Sequence, residues 1–245
     1  MPSHDRPAVL YESVVREYSP AYAVGPVSLH ADPGECVALV GPNGSGKSTV
    51  LRVAAGADQP TQGRVSVLGA EPRAADPEFR RTVFVLEELT YFPDLSVREH
   101  LELVAAGHGL GRAGDARITE TLARCRLDAH AGANPRTLSR GQQQLLALAA
   151  MLLPPFPRVF VLDEPESHLD GPARRWLGET LQRIKEEGGV LLLATHQSSL
   201  VDRLADWTVH MDGGKPRNDD RAGGDDAGGV GIGGDEVGRD GTGGE

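Results

Sequence analysis

The chain has 245 residues, with 25 Lys and Arg against 35 Asp and Glu, for a formal net charge of −10. That length holds one sizeable domain or two small ones at roughly 100–200 residues each, and the acidic balance argues against affinity for nucleic-acid phosphates, so no nucleic-acid partner is expected. The longest apolar run, Leu145 to Leu153, is nine residues where a bilayer crossing takes about 20, so no direct membrane insertion is expected.

In chain order, the N-terminal MPSHDRPAVLYES has neither a basic leader nor an apolar core region, and no secretory signal is expected. The first 70 residues alternate with a period of two at Val9 and Tyr11, Val27 and Leu29, and Val65 and Val67 after the turn-like Pro60-Thr61-Gln62-Gly63, which predicts a small antiparallel sheet. Four runs lack that alternation: Cys36–Val40, Val83–Leu86, Val159–Leu162 and Val190–Ala194. Continuous apolar runs of this length are strands buried on both faces, and the helical spacing between them predicts a parallel sheet covered by helices. Val97, Leu101 and Val104, then Ile118, Leu122 and Cys125, repeat at three and four residues, which predicts a helical insertion over roughly 97–138. A last helix is expected over Pro172–Glu187, with Asp170 near its N-cap and Gly188 after it. Cys36 and Cys125 stand in separate apolar segments without metal-ligand spacing, as buried thiols of a reducing compartment do. From Gly213 to Glu245 there are 13 glycines, eight acids and four bases. So little apolar surface cannot offset ordering entropy, and 213–245 is expected to be a disordered Gly/Asp-rich tail on a folded domain over 1–212.

The strongest chemical signal is Gly41, Pro42, Asn43, Gly44, Ser45, Gly46, Lys47, Ser48 and Thr49, a P-loop standing between a buried strand and a helix. Its glycines let backbone N–H groups wrap a phosphate chain at a helix N-terminus. Lys47 is expected to reach the β- and γ-phosphates and the Ser48 hydroxyl to ligate Mg2+. The run Val159–Leu162 ends in Asp163 and Glu164. Asp163 fits a water-mediated hold on magnesium, and Glu164, leaving the strand end in another direction, fits a base for the attacking water. Ser139 and Gln142 have capping-box spacing at the start of a helix expected over Gln142–Leu153, which presents N–H groups and a hydroxyl to an anion.

With Leu138-Ser-Arg-Gly-Gln142 just before Asp163 and Glu164, the sequence resembles the ATP-binding-cassette ATPases. The pentapeptide resembles their signature motif, with Arg140 at its variable position. The resemblance covers nearly all of 8–212. It implies a P-loop NTPase-type α/β fold: a mainly parallel sheet flanked by helices, a small N-terminal antiparallel β subdomain, and a helical lobe over about 88–155 carrying the signature. It further implies that Ser139, Gly141 and Gln142 complete the nucleotide site of a second subunit, and that Asp170 touches the opposite subunit, although it equally suits a helix cap. His196, ending Leu191-Leu-Leu-Ala-Thr-His, resembles the switch histidine that contacts the γ-phosphate. Tyr18 stands where the family places an aromatic against adenine, with Tyr22 a near competitor. Glu87 stands where the family usually has a glutamine that ligates magnesium, and a carboxylate there is expected to alter metal dependence or coupling.

The resemblance thus implies an ATPase that uses ATP and Mg2+ and closes as a homodimer or a heterodimer with a second cassette. Its transmembrane permease partners are separate chains, and it sits in the cytoplasm, held peripherally at the inner face of the plasma membrane through them. The alternative is a soluble cassette ATPase acting on a protein or assembly partner.

Overall fold

In a computed structural model, the structure describes residues 6–86, 91–154 and 158–221. Two sheets carry the fold. The smaller is antiparallel, with β2 (Tyr22–Ala31), β1 (Val9–Ser19) and β4 (Gln62–Val67) side by side. Val9 pairs with Ala31 on one side and Val67 on the other, so the alternating residues of the three strands turn one apolar face inward.

The larger sheet runs in the order β5 (Val83–Leu86), β6 (Val159–Asp163), β7 (Val190–Ala194), β3 (Cys36–Val40), β8 (Trp207–Asp212) and β9 (Lys215–Arg221). Its first five strands are mutually parallel and β9 is antiparallel to β8. The four continuous apolar runs all fall in this parallel part, and their side chains divide between two cores. Val37, Leu39, Val159, Val161, Val190 and Leu192 face the small sheet and helix α1 (Lys47–Ala54). Cys36, Phe160, Leu162, Leu191 and Leu193 face α5 (Arg140–Leu152), α6 (Gly171–Glu186) and α7 (Ser198–Leu204). At roughly 1.5–3 kcal/mol for each fully buried aliphatic side chain, this double burial is why the runs carry no polar residue.

Helices α3 (Val97–Gly107) and α4 (Ala113–Arg124) build the lobe, packing Val97, Leu101, Ile118 and Leu122 against Leu146 and Leu153. Helix α5 belongs to both cores: Leu146, Ala149 and Ala150 face the lobe, and Ala147, Leu148 and Met151 face the sheet. That two-sided burial accounts for the apolar run in its second half and rigidly joins the start of the helix to the sheet. A short helix, α2 (Pro77–Thr82), precedes β5.

Two boundaries differ from expectation. The signature helix starts at Arg140, two residues early, because its cap is Ser139. The fold also continues past Asp212: Gly213 and Gly214, both at positive φ (54° and 82°), turn the chain back so that β9 pairs along β8, Asp212 with Lys215 and Trp207 with Arg221. Two glycines in the left-handed region make a two-residue hairpin, so Gly213 opens a turn and not a tail. Residues 222–245, Glu87 with its neighbours 88–90, and 155–157 lie outside the described residues.

Candidate functional site

The parallel strands β3, β7 and β6 are adjacent and end on one side of the sheet. Ligands of open α/β sheets bind beyond the carboxyl ends of the strands; the P-loop, His196 and Glu164 follow these three strands, and Asp163 ends β6. Leu39 of β3 pairs with Ala194 of β7, which pairs with Asp163 of β6. The strand register therefore brings together three segments far apart in the chain.

In the P-loop, Lys47 is 5% exposed and opens α1. Its ammonium donates to the carbonyls of Gly41 (2.8 Å) and Pro42 (3.0 Å), and no acid pairs with it among the described residues. The Ser45 hydroxyl is buried without a hydrogen-bond partner. A buried cation without a counter-charge and an orphaned hydroxyl are both costly, and the first four N–H groups of a helix have no partner within it. These features fit a polyanion such as the phosphates of ATP. Among the described residues there is no cluster of three or more His, Cys, Asp or Glu that would hold a metal by itself. Ser48 and Asp163 suit magnesium, which is commonly bound by one or two protein oxygens together with substrate phosphates.

At the end of β6, Glu164 takes φ of +45°, a conformation that costs a non-glycine residue about 1–3 kcal/mol and marks a held position. Its N–H donates to the Ala194 carbonyl (2.9 Å), which ties it to β7. Its Oε1 lies 2.7 Å from Nε2 of His196, with both side chains partly exposed. The base and the switch histidine expected from the sequence are therefore in direct contact.

One pair was not foreseen. Glu166, only 6% exposed, accepts a short hydrogen bond from the hydroxyl of buried Thr195, while its Oε2 is buried without a partner. Burial pushes its carboxyl above the ordinary range; the Thr195 hydroxyl and nearby backbone N–H groups, including that of His196, oppose this, and the Glu164 charge adds to it. The only signal in the sequence is a third acid in Asp163-Glu-Pro-Glu166, since nothing there shows that Thr195 lies against it.

The signature residues form a second group. Ser139 caps α5: its Oγ accepts from the Gln142 N–H (3.3 Å), and Gln142 Oε1 accepts from the Ser139 N–H (2.9 Å). Gly141 is packed so closely that a Cβ there would meet the His168 carbonyl at 2.8 Å. Asp170 caps α6 through the Ala173 N–H (2.8 Å). Ser139, Gly141, Gln142 and Asp170 border one cavity of about 460 Å3, and no P-loop residue, Asp163, Glu164 or His196 lines it. The two groups are thus separate within one chain.

Tyr18 and Tyr22 are 47% and 43% exposed and stacked with ring centroids 5.9 Å apart, so both tyrosines considered for the adenine face are side by side. The Tyr18 hydroxyl donates to Asp58 (2.9 Å) and lies 3.3 Å from the Thr49 hydroxyl, while that of Tyr22 reaches the Gly44 carbonyl at 3.5 Å. Both rings are anchored at the P-loop.

A P-loop on a parallel sheet, an acid pair at a neighbouring strand end and a separate helical lobe with a capped signature define an ATP-binding cassette. Residues 24–167 match the ABC transporter family, and the chain belongs to it. It is 32% identical over 210 residues to the Nod factor export ATP-binding protein I of Rhizobium etli, covering 85% of this chain and 66% of that protein. It is 33% identical over 214 residues to the spermidine/putrescine import ATP-binding protein PotA of Pseudomonas fluorescens, covering 85% and 59%. The chain thus spans about two thirds or less of the length of these relatives. A solved ATP-binding subunit of an ABC transporter superposes with a TM-score of 0.79 at 28% identity, covering 87% of this chain and 90% of the other.

Proposed function

We propose that the chain is the ATP-binding and ATP-hydrolysing subunit of a transporter, closing head to tail with a second cassette around two ATP molecules and driving separate transmembrane subunits. The observation that carries this reading is the separation of the two half-sites. The P-loop with Glu164 and His196 occupies one face, and the signature with Asp170 borders a cavity that none of them reaches. A P-loop and a signature that belong to one site but do not meet in one chain fit a site shared between two.

In this reading the P-loop N–H groups, Lys47 and the Ser139 hydroxyl of the facing cassette hold the triphosphate, with charge-assisted bonds of roughly 1.5–3 kcal/mol each. Tyr18, with Tyr22, supports the base, and Ser48, Asp163 and Glu87 would hold magnesium, which neutralises charge on the phosphate oxygens when bound. Glu164, with one oxygen already on His196, keeps the other for the proton of an attacking water. In this reading His196 orients that carboxylate and contacts the γ-phosphate. Asp170 has a dual part, capping α6 and presenting the loop before it to the partner. Among the described residues no helix is long and apolar enough to cross a membrane, which fits a subunit held at the cytoplasmic face by membrane partners. Two relatives are ATP-binding proteins of transport systems, and this supports the same task here.

Phosphate release from ATP by the purified chain tests the chemistry. Glu164→Gln is expected to bind ATP like wild type and to lose roughly 10²–10⁴-fold in turnover, and Lys47→Ala to lose nucleotide affinity itself. Undiminished turnover in Glu164→Gln removes that residue from its role. Co-purification with a polytopic membrane protein tests the transport task.

A further inference from the structure

We propose that Glu166 is a positioning residue, a buried carboxyl clamp that fixes the Thr195 hydroxyl and through it the backbone that presents His196 to Glu164. The inference rests on the reading of Glu164 and His196 as the hydrolytic pair. It starts from an anomaly: a carboxyl 6% exposed, with one oxygen on Thr195 and the other buried without a partner. Buried polar groups in native structures are paired in the great majority of cases, and an orphaned oxygen calls for an explanation. An apolar side chain of similar volume would fill the space without that cost, so packing alone gives no reason for an acid.

The geometry supplies one. The Thr195 Oγ that donates to Glu166 also accepts from the Gln197 N–H at 3.0 Å. Residues 195 and 197 flank His196, so one hydroxyl sets the backbone on both sides of the histidine, and Glu166 sets the hydroxyl. The loop bearing Glu166 is itself held, because Ser167 N–H donates to the Glu164 carbonyl (2.9 Å) and Leu169 N–H to the Glu166 carbonyl (3.2 Å). The Gln144 amide of α5 donates to the Pro165 carbonyl at 2.9 Å, so the signature helix touches the same loop. Glu166 thus joins the loop after β6 to the loop after β7 just where Glu164 and His196 meet at 2.7 Å.

The test compares wild type with Glu166→Leu, Glu166→Gln and Thr195→Val by site-resolved amide hydrogen exchange and by steady-state ATP hydrolysis. Glu166→Leu and Thr195→Val are expected to raise exchange at the Gln197 amide tenfold or more while the amides of Val161 and Leu192 in the sheet stay at wild-type rates. Both should lower kcat about tenfold with KM for ATP unchanged. Glu166→Gln, which keeps a carbonyl acceptor for Thr195, should recover most of both. The double variant Glu166→Leu/Thr195→Val should be no worse than either single one, because both remove the same contact. Unchanged exchange at Gln197 in a folded Glu166→Leu overturns the clamp, as do additive losses in the double variant. Should Glu166→Leu fail to fold, Thr195→Val decides by the same exchange readout. A wild-type protein that releases no phosphate overturns the hydrolytic reading, while the Gln197 exchange still decides the clamp.

Discussion

At the scale of single residues, burial dictates which groups titrate and in which direction. Burial pushes the Cys36 and Cys125 thiols up to about 12 from an ordinary value near 9, so both remain protonated in the folded chain where they would ionise in the unfolded one. Their contribution to stability is complete below about pH 9 and is lost as pH rises toward 12. At pH 8 neither thiol should react with a disulfide reagent until denaturant is added, and one thiol reacting fast in the native protein would contradict their burial. Glu166 is a group of the same kind at lower pH: an acid raised by burial, with the Glu164 charge adding to it. The folded state holds its proton longer than the unfolded state, so stability falls as pH rises from the unfolded value of 4.5 through the higher folded one. Glu166→Gln is therefore expected to raise the melting temperature at pH 7, with the gain shrinking as pH approaches 4.5. A lower melting temperature for this variant at pH 7 would show that the charged form is favoured in the fold.

Among the elements, helix α5 does the most. Its first turn carries the signature, its middle is buried against both lobe and sheet, and Gln144 and Gly141 touch the loop after β6. Gly141 is helical but tight: a methyl group there meets backbone, not a side chain that can swing away. Gly141→Ala should therefore push the loop at His168 outward, costing about 1–3 kcal/mol by overpacking and slowing turnover more than it weakens ATP binding. Denaturant midpoints and ATP titrations read the two effects; a neutral midpoint would mean that the loop yields freely. The four parallel strands β3, β5, β6 and β7 and the P-loop were legible in the sequence because each is a local pattern, an apolar run or a glycine spacing. The capping box and Asp170 were legible for the same reason, their partners being three residues away. The β8–β9 hairpin was not, because Gly213-Gly214 reads equally as a turn or as the start of a glycine-rich tail. The Glu166–Thr195 contact was not legible either, since it joins positions 29 apart that only the register of β6 against β7 brings together.

For the whole molecule, the decisive property is that the cavity bordered by Ser139, Gly141, Gln142 and Asp170 is lined by no P-loop residue and by none of Asp163, Glu164 and His196. In the proposed reading the cassette is a switch: nucleotide joins it to a second cassette, and loss of the γ-phosphate removes the bonds that hold the pair closed. Blocking hydrolysis while leaving binding intact should trap the closed pair. The most direct measurement is the solution mass of the Glu164→Gln protein by sedimentation equilibrium, with ATP and magnesium and again with ADP. A doubled mass with ATP that returns to that of one chain with ADP, and that is abolished by Ser139→Arg, is the expected result. A protein that keeps the mass of one chain in saturating ATP would contradict a site shared between two copies of this chain.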